Sequence, residues 1–298
     1  MIASHARCKF QGSFVALPTP FRDGQIDYAA VQELVAFHLA HKTDGFVVSG
    51  TTGESATLSE SERRSLIEIV VAITRGRVPV LAGVGTNATR STVELAKFAA
   101  GAGADGLLVV TPYYNKPSRR GLFLHYGAVA EAVHIPVVLY NVPSRTGVDL
   151  VPEVVAELGR SFDNVVAVKE ALPSLERVKR LIAETNVAVI CGDDGSIADF
   201  MSLGAVGVIG VVNNVMPEAV AELVRAAAPG GDSVRAAAIV ESIAPLVRDL
   251  FIESNPVPVK TALSMLDLCR AEVRLPLAPL EDENRRRLEA TLRACRLI

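Results

Sequence analysis

The sequence predicts an α/β fold, a (β/α)8 TIM barrel with a C-terminal helical appendage. Three observations carry that prediction. Eight short apolar runs recur along the chain. Each is continuous rather than alternating, as parallel strands covered by helices on both faces must be. Between them, apolar residues repeat at spacings of three and four, which gathers them on one helix face. An open doubly wound sheet would show fewer such units and a nucleotide fingerprint after its first strand.

In chain order the runs are FVAL (14–17), GFVVS (45–49), VPVLA (78–82), GLLVV (106–110), IPVVLY (135–140), VVAVK (165–169), VAVIC (187–191) and VGVIGVV (206–212). The first intervening helix carries Val31, Leu34, Val35 and Leu39; the next carries Leu66, Ile69, Val70 and Ile73; a later one carries Leu175, Val178, Leu181 and Ile182. Ser59, followed by Glu62, has the spacing of a capping box and predicts a helix start. After the eighth unit AAAPGGDS (226–233) breaks the rhythm, and two or three more helices follow. Residues 1–228 are therefore expected to form the catalytic barrel, and 229–298 a helical extension packed on it or in a subunit contact.

Composition narrows the function. Half of the 298 residues are hydrophobic, the net charge is −3 and the pI about 6.0. No block of Lys and Arg suggests nucleic acid, and RRRLE near the C-terminus reads as the solvated face of a last helix. Cys8, Cys191, Cys269 and Cys295 show neither CxxC pairing nor a His at metal-ligand spacing, which predicts free thiols in a reducing compartment. The N-terminal MIASHARCKFQGSF has no cationic segment leading into a long apolar one, and no window is long enough to span a bilayer. A soluble, cytoplasmic protein is expected, with no membrane partner.

Two motifs are set aside. GAGADG (101–106) fits GxGxxG, but a helix precedes it and a strand follows, the reverse of a dinucleotide loop; a helix C-cap and tight turn explain its glycines. His38 and His41 lie on an outer helix without a third ligand, and surface or half-buried histidines are expected there. No metal and no cofactor are called for.

Barrel enzymes carry their reacting groups at the C-terminal ends of strands, which turns the strand list into a site list. It contains Thr51, Thr52 and Glu54 after the second strand, Tyr113 and Tyr114 after the fourth, Tyr140 and Arg145 after the fifth, Lys169 ending the sixth, and Asp193 and Asp194 after the seventh. The two aspartates disfavour a phosphorylated substrate, and capping of the next helix is their expected role.

Lys169 is the sharpest candidate. In an apolar barrel mouth burial penalises its charged form, and a free amine can attack a carbonyl to form a Schiff base. Position alone leaves open a pairing with Glu170 or an acidic loop. Such chemistry must move protons, and Tyr140, Thr51 and Tyr114 stand at strand ends from which their hydroxyls could pass them. Arg145 could hold a substrate carboxylate in a two-pronged hydrogen bond; its alternative is a rim salt bridge.

With these motifs in place, the chain closely resembles the dihydrodipicolinate synthase family, from GSFVALPTPF through SGTTGESATL, VTPYYNKPS, LYNVPSRTG, VAVKEA and CGDD to NPVPVKTAL and RLPLAPL. The resemblance implies a lyase condensing pyruvate with L-aspartate 4-semialdehyde, in lysine and diaminopimelate biosynthesis. It implies that Lys169 forms the Schiff base, Tyr140 is the general acid and base, and Thr51 and Tyr114 complete its proton relay. It implies further that Thr52 binds the pyruvate carboxylate, that Gly192 and Ile209 line that pocket, and that Arg145 holds the semialdehyde carboxylate. A homotetramer of two tight dimers is also implied, with Tyr114 reaching into the neighbouring subunit's site.

The chain departs from the family pattern twice. Leu172 and Pro173 replace the usual small residue and glycine after the KEA motif. Ser55, Ala56, Asn87 and Tyr113 match effector positions of lysine-inhibited members, but Glu60, Arg63 and Ser91 stand where those members have two histidines and a glutamate. Losing the glutamate removes a partner for the amino group of lysine, and Arg63 adds a like charge; weak or absent inhibition by L-lysine is expected. Two other functions share part of the pattern. A sialic acid or 2-keto-3-deoxy sugar acid lyase would share Lys169 and Tyr140 but generally lacks the SRTG arginine and the double tyrosine. A pyruvate-binding regulator without activity would need no relay.

Overall fold

The computed structural model describes residues 8–298; the first seven residues of the N-terminal stretch read above for targeting signals lie outside the described residues. Eight parallel strands close into a barrel: β1 (Gly12–Ala16), β2 (Gly45–Val48), β3 (Val80–Gly83), β4 (Gly106–Val110), β5 (Val137–Asn141), β6 (Val165–Glu170), β7 (Ala188–Cys191) and β8 (Gly207–Gly210). Each pairs with its sequence neighbours, and β1 closes on β8 with Phe14 opposite Ile209. The apolar runs thus fall on the eight strands, shifted by one or two residues at several ends.

The helices are α1 (Tyr28–Ala40), α2 (Glu60–Thr74), α3 (Thr89–Gly101), α4 (Arg119–Ala132), α5 (Pro152–Ser161), α6 (Leu175–Glu184), α7 (Ile197–Leu203) and α8 (Pro217–Ala227). α2 begins with the capping box: Glu62 N donates to Ser59 Oγ at 3.2 Å and Ser59 N to Glu62 Oε2 at 2.8 Å. Val31, Leu34, Val35, Leu66, Val70, Val178 and Leu181 are buried as the spacing predicts, while Leu175 is exposed. GAGADG spans the end of α3 and the turn into β4, with Gly103 at φ +88.

Alternation along the strands separates two apolar layers. Phe14, Val47, Leu81, Leu108, Val138, Ala167, Ala188 and Ile209 fill the barrel interior. Leu107, Val109, Leu139, Val168, Val189 and Val208 face outward into the shell packed by the helices. The pleat therefore decides that Tyr140 joins the interior while its neighbours face the helices.

Three helices follow the barrel: α9 (Ser233–Asp249), α10 (Val257–Met265) and α11 (Asp282–Ala294). Arg285, Arg286 and Arg287 of RRRLE are exposed on α11. All four cysteines are free, and no described helix is long and apolar enough to cross a membrane.

Two expectations need correction. His38 is fully buried, with Nδ1 3.0 Å from Thr43 Oγ1, and burial pushes its pKa down to about 3. Neither Asp193 nor Asp194 caps the next helix with its side chain: Asp193 Oδ2 accepts from Ser196 Oγ at 2.7 Å, and the Asp194 carboxylate accepts from Val211 N at 2.9 Å and from Val212 N at 2.9 Å, tying the end of β7 to the end of β8. Backbone amides left over where β8 stops need an acceptor, and a buried carboxylate one strand away supplies it.

Candidate active site

A cavity of about 220 Å³ opens at the C-terminal ends of the strands. Lys169 enters it from β6 and Tyr140 from β5, and the register pairs these two residues side by side. Both are buried, at 7 % and 6 % exposure, and Lys169 Nζ lies 4.4 Å from the centroid of the Tyr140 ring. Gly192, after β7, makes room for the lysine: a Cβ there would stand 2.9 Å from Lys169 Cε and 3.0 Å from Glu170 O. The following strand supplies Ile209 to the same wall.

The pairing of Lys169 with Glu170 is ruled out by the pleat. Glu170 points to the outer face, where Arg177 Nε donates to its Oε2 at 2.6 Å. Burial pushes the Glu170 carboxyl above its ordinary pKa range, and the Arg177 charge opposes that shift.

Thr51 and Thr52 line the cavity from the loop after β2. Thr52 is buried, and Asn255 Nδ2 donates to its Oγ1 at 3.0 Å. Arg145 sits at the exposed mouth on the short helical turn Pro143–Thr146, and its Nη2 donates to Asn255 O at 3.3 Å. It makes no ion pair with any described residue.

The loop after β6 gives Ala171 to the cavity wall, whereas Leu172 turns its amide to Glu170 Oε1 at 2.9 Å. Tyr114 is placed elsewhere. It follows β4 but is 88 % exposed, at φ +72, outside the cavity. One chain thus brings together Lys169, Tyr140, Thr51, Thr52, Arg145, Gly192 and Ile209, and leaves Tyr114 pointing to solvent.

Sequence reasoning missed what the segment after α9 contributes. Phe251 and Asn255 reach the cavity from there. Lys260 of α10 is fully buried and donates to Glu54 Oε1 at 2.6 Å, with its Nζ 4.2 Å from the Phe21 ring centroid. Burial lowers the Lys260 pKa and Glu54 opposes it. Glu54 therefore holds the second-strand loop to the C-terminal helices rather than facing substrate. The NPVPVK motif was the available signal, but an Asn beside Pro reads as a turn until the fold closes on it.

A second cavity of about 300 Å³ adjoins the first, sharing Thr51 and Arg145 and bounded by Ser55, Ala56, Arg63 and Tyr113. Arg63 is buried and its Nη2 donates to Gly83 O at 2.9 Å. Glu60 faces away on the exposed side of α2, paired with Arg64. Among the described residues no group of three or more His, Cys, Asp or Glu is placed to hold a metal ion.

The dihydrodipicolinate synthetase family model matches residues 9–295. A 4-hydroxy-tetrahydrodipicolinate synthase of Pelobacter propionicus is 48 % identical over 291 residues, covering 97 % of this chain and 100 % of that one. The chloride-inhibited dihydrodipicolinate synthase of Acinetobacter baumannii, solved with pyruvate, superposes with a TM-score of 0.94 at 42 % identity, covering 97 % of this chain and 100 % of that one. The structure of the first monomeric dihydrodipicolinate synthase variant does so with a TM-score of 0.94 at 38 % identity, covering 97 % and 98 %.

Proposed function

The chain belongs to the dihydrodipicolinate synthetase family, and from that premise we propose that Lys169 carries the condensation of pyruvate with L-aspartate 4-semialdehyde. The activity is the one its curated relatives are named for, 4-hydroxy-tetrahydrodipicolinate synthase, a lyase of lysine and diaminopimelate biosynthesis. The supporting observation is the buried Lys169 amine beside the Tyr140 ring, in a small cavity flanked by Thr52 and Arg145.

The Lys169 amine attacks the keto carbon of pyruvate and water leaves, giving an imine whose nitrogen draws electrons from the adjacent methyl group. Loss of a methyl proton yields an enamine. Its carbon attacks the aldehyde carbon of the semialdehyde, forming the new carbon–carbon bond, and the aldehyde oxygen takes a proton to become the hydroxyl. The amine of the second substrate then displaces Lys169 from the imine carbon, closing the ring and restoring the enzyme. Tyr140 donates and accepts the protons of these steps through Thr51 and Tyr114. Thr52 holds the pyruvate carboxylate against Gly192 and Ile209, and Arg145 holds the carboxylate of the second substrate.

Tyr114 enters this relay from a neighbouring subunit, in a homotetramer of two tight dimers. Its exposure and its left-handed backbone, uncommon for a bulky residue, support that role. Residues 1–228 act as the catalytic barrel, and 229–298 form an extension that closes one side of the mouth through Asn255. A cytoplasmic setting with free thiols suits the pathway. L-lysine inhibits weakly or not at all, because Arg63 places a cation beside Ser55 and Tyr113.

Borohydride reduction in the presence of pyruvate tests the central step. A pyruvate-dependent mass increment on Lys169 is expected, and its absence defeats the mechanism. Turnover of sugar-acid substrates without condensation would favour the lyase relatives, and sedimentation separates a tetramer from a monomer.

A further inference from the structure

The ends of β5 and β6 are joined twice, once on each face. Inside the barrel the register sets Tyr140 beside Lys169, and one residue later, on the outer face, it sets Asn141 beside Glu170. Asn141 and Glu170 are both fully buried. Asn141 Nδ2 donates to Glu170 Oε1 and Oε2 at 3.0 and 3.1 Å, and Asn141 Oδ1 accepts from Leu150 N at 2.9 Å.

Arg177, one turn into α6, completes the arrangement. Its Nε donates to Glu170 Oε2 at 2.6 Å, its Nη1 to Asp149 Oδ2 at 3.2 Å, and its Nη2 to Leu150 O. Four elements thereby meet: two strand ends, the loop before α5, and the helix after β6.

The place of this network matters because the backbone ladder stops there. At the end of β6, where Glu170 is the last residue paired with both neighbouring strands, the main-chain ties include Ala171 N to Asn141 O at 3.0 Å and Gly192 N to Glu170 O at 2.8 Å. Past Glu170 no further strand pairing reinforces the ladder, so a twist of the strand end would be carried by Lys169 to its amine at the end of a long side chain. Charge-assisted hydrogen bonds between groups already fixed by packing are the means of preventing it.

We propose that Arg177, Glu170 and Asn141 form an outer-face clamp that positions Lys169 against Tyr140, so that these three are positioning residues for imine formation. This rests on the assignment of Lys169 as the Schiff-base lysine. The clamp touches no substrate. Its contribution is geometric, and a displacement of about 1 Å at the amine is enough to cost roughly a hundredfold in rate. It also gives the residue after the lysine its reason: the pleat turns Glu170 outward, where it anchors the strand that presents Lys169 inward.

The test compares the rate of pyruvate-dependent borohydride trapping in wild type and in Arg177→Met, with semialdehyde KM measured alongside. Trapping in wild type reports on the Schiff-base assignment; the ratio of variant to wild type reports on the clamp. Arg177→Met is expected to slow trapping by about 10- to 100-fold, with semialdehyde KM unchanged because Arg145 is held by Asn255 and not by the clamp. A structural role alone would lower the melting temperature and leave the trapping rate of the folded enzyme intact.

If Arg177→Met does not fold, Arg177→Met combined with Glu170→Gln removes both charges and leaves no unpaired buried carboxylate. The same slowing is expected of that pair. A folded variant that traps pyruvate at the wild-type rate overturns the clamp, as does a loss confined to semialdehyde KM. Absence of trapping in wild type itself overturns the Schiff-base assignment first and the clamp with it.

Discussion

Lys260 and Glu54 form an ion pair across 206 residues of sequence, Nζ to Oε1 at 2.6 Å, with their side chains 0 % and 1 % exposed. The pair joins the loop that carries Thr51 and Thr52 to the helix that follows Asn255, so the far end of the chain helps shape the mouth of the barrel.

Lys260→Met leaves the Glu54 carboxylate buried without its cation and is expected to cost about 3–5 kcal/mol in stability. Glu54 keeps the Arg274 amide as a donor at 3.0 Å, which one hydrogen bond cannot turn into full compensation. Adding Glu54→Gln removes the uncompensated charge and should recover part of the loss. Urea unfolding midpoints check both; a single variant as stable as wild type would refute the argument.

Tyr140→Phe retains the ring beneath Lys169 Nζ and deletes only the hydroxyl. The expected result is a fall in turnover of about 10²–10⁴-fold, with the protein folded and pyruvate still trapped on Lys169, more slowly. Lys169→Ala should give no trapped adduct at all. An unchanged turnover number in Tyr140→Phe would remove it from the proton relay.

Acid should destabilise the fold through its buried histidines. Burial pushes His38 from 6.5 to about 3 and His125 from 6.5 to about 4. Both folded values lie below the unfolded ones, so the stability these groups contribute is complete above pH 6.5 and lost as pH falls toward them. Each adds a slope of up to about 1.4 kcal/mol per pH unit over that window. Asp194, pushed up to about 6 by burial, acts in the opposite sense, losing its contribution as pH rises from 3.8 to 6. His38→Gln keeps a partner for Thr43 and should flatten the acid limb of a stability–pH curve; a slope equal to wild type would count against it.

Inhibition assays with L-lysine should show little effect at millimolar concentration. Arg63 is buried at the edge of the second cavity, anchored to Gly83 O, and its charge opposes an incoming ammonium. Half-inhibition at submillimolar lysine would defeat this. Replacing Arg63→His, Glu60→His and Ser91→Glu together should raise sensitivity.

Much of the fold was legible because it rests on local pattern. Short, continuous, mostly β-branched runs alternating with amphipathic stretches are the pattern of strands covered on both faces, and the spacing of Leu66 and Val70 or of Val178 and Leu181 marks the side each helix buries. The capping box at Ser59 and Glu62 needed four residues to be read, and it formed as read. The site was partly legible for a related reason: a barrel gathers its strand ends at one face, so Lys169, Tyr140, Thr51 and Thr52 could be placed near one another from chain order alone.

The barrel, its strand ends and the inward lysine are encoded locally, since they follow from periodicities within a few residues of one another. Closure of the fold set the remainder. It turned Glu170 away from Lys169 to Arg177, gave Asp194 the amides of Val211 and Val212 in place of its own helix, left Tyr114 facing solvent, and brought Asn255 and Lys260 back to the mouth. Each of these is the choice of a partner for a charged or polar group. Burial makes that choice obligatory, but the partner is whatever closure of the barrel brings within hydrogen-bond reach, and no local spacing encodes it.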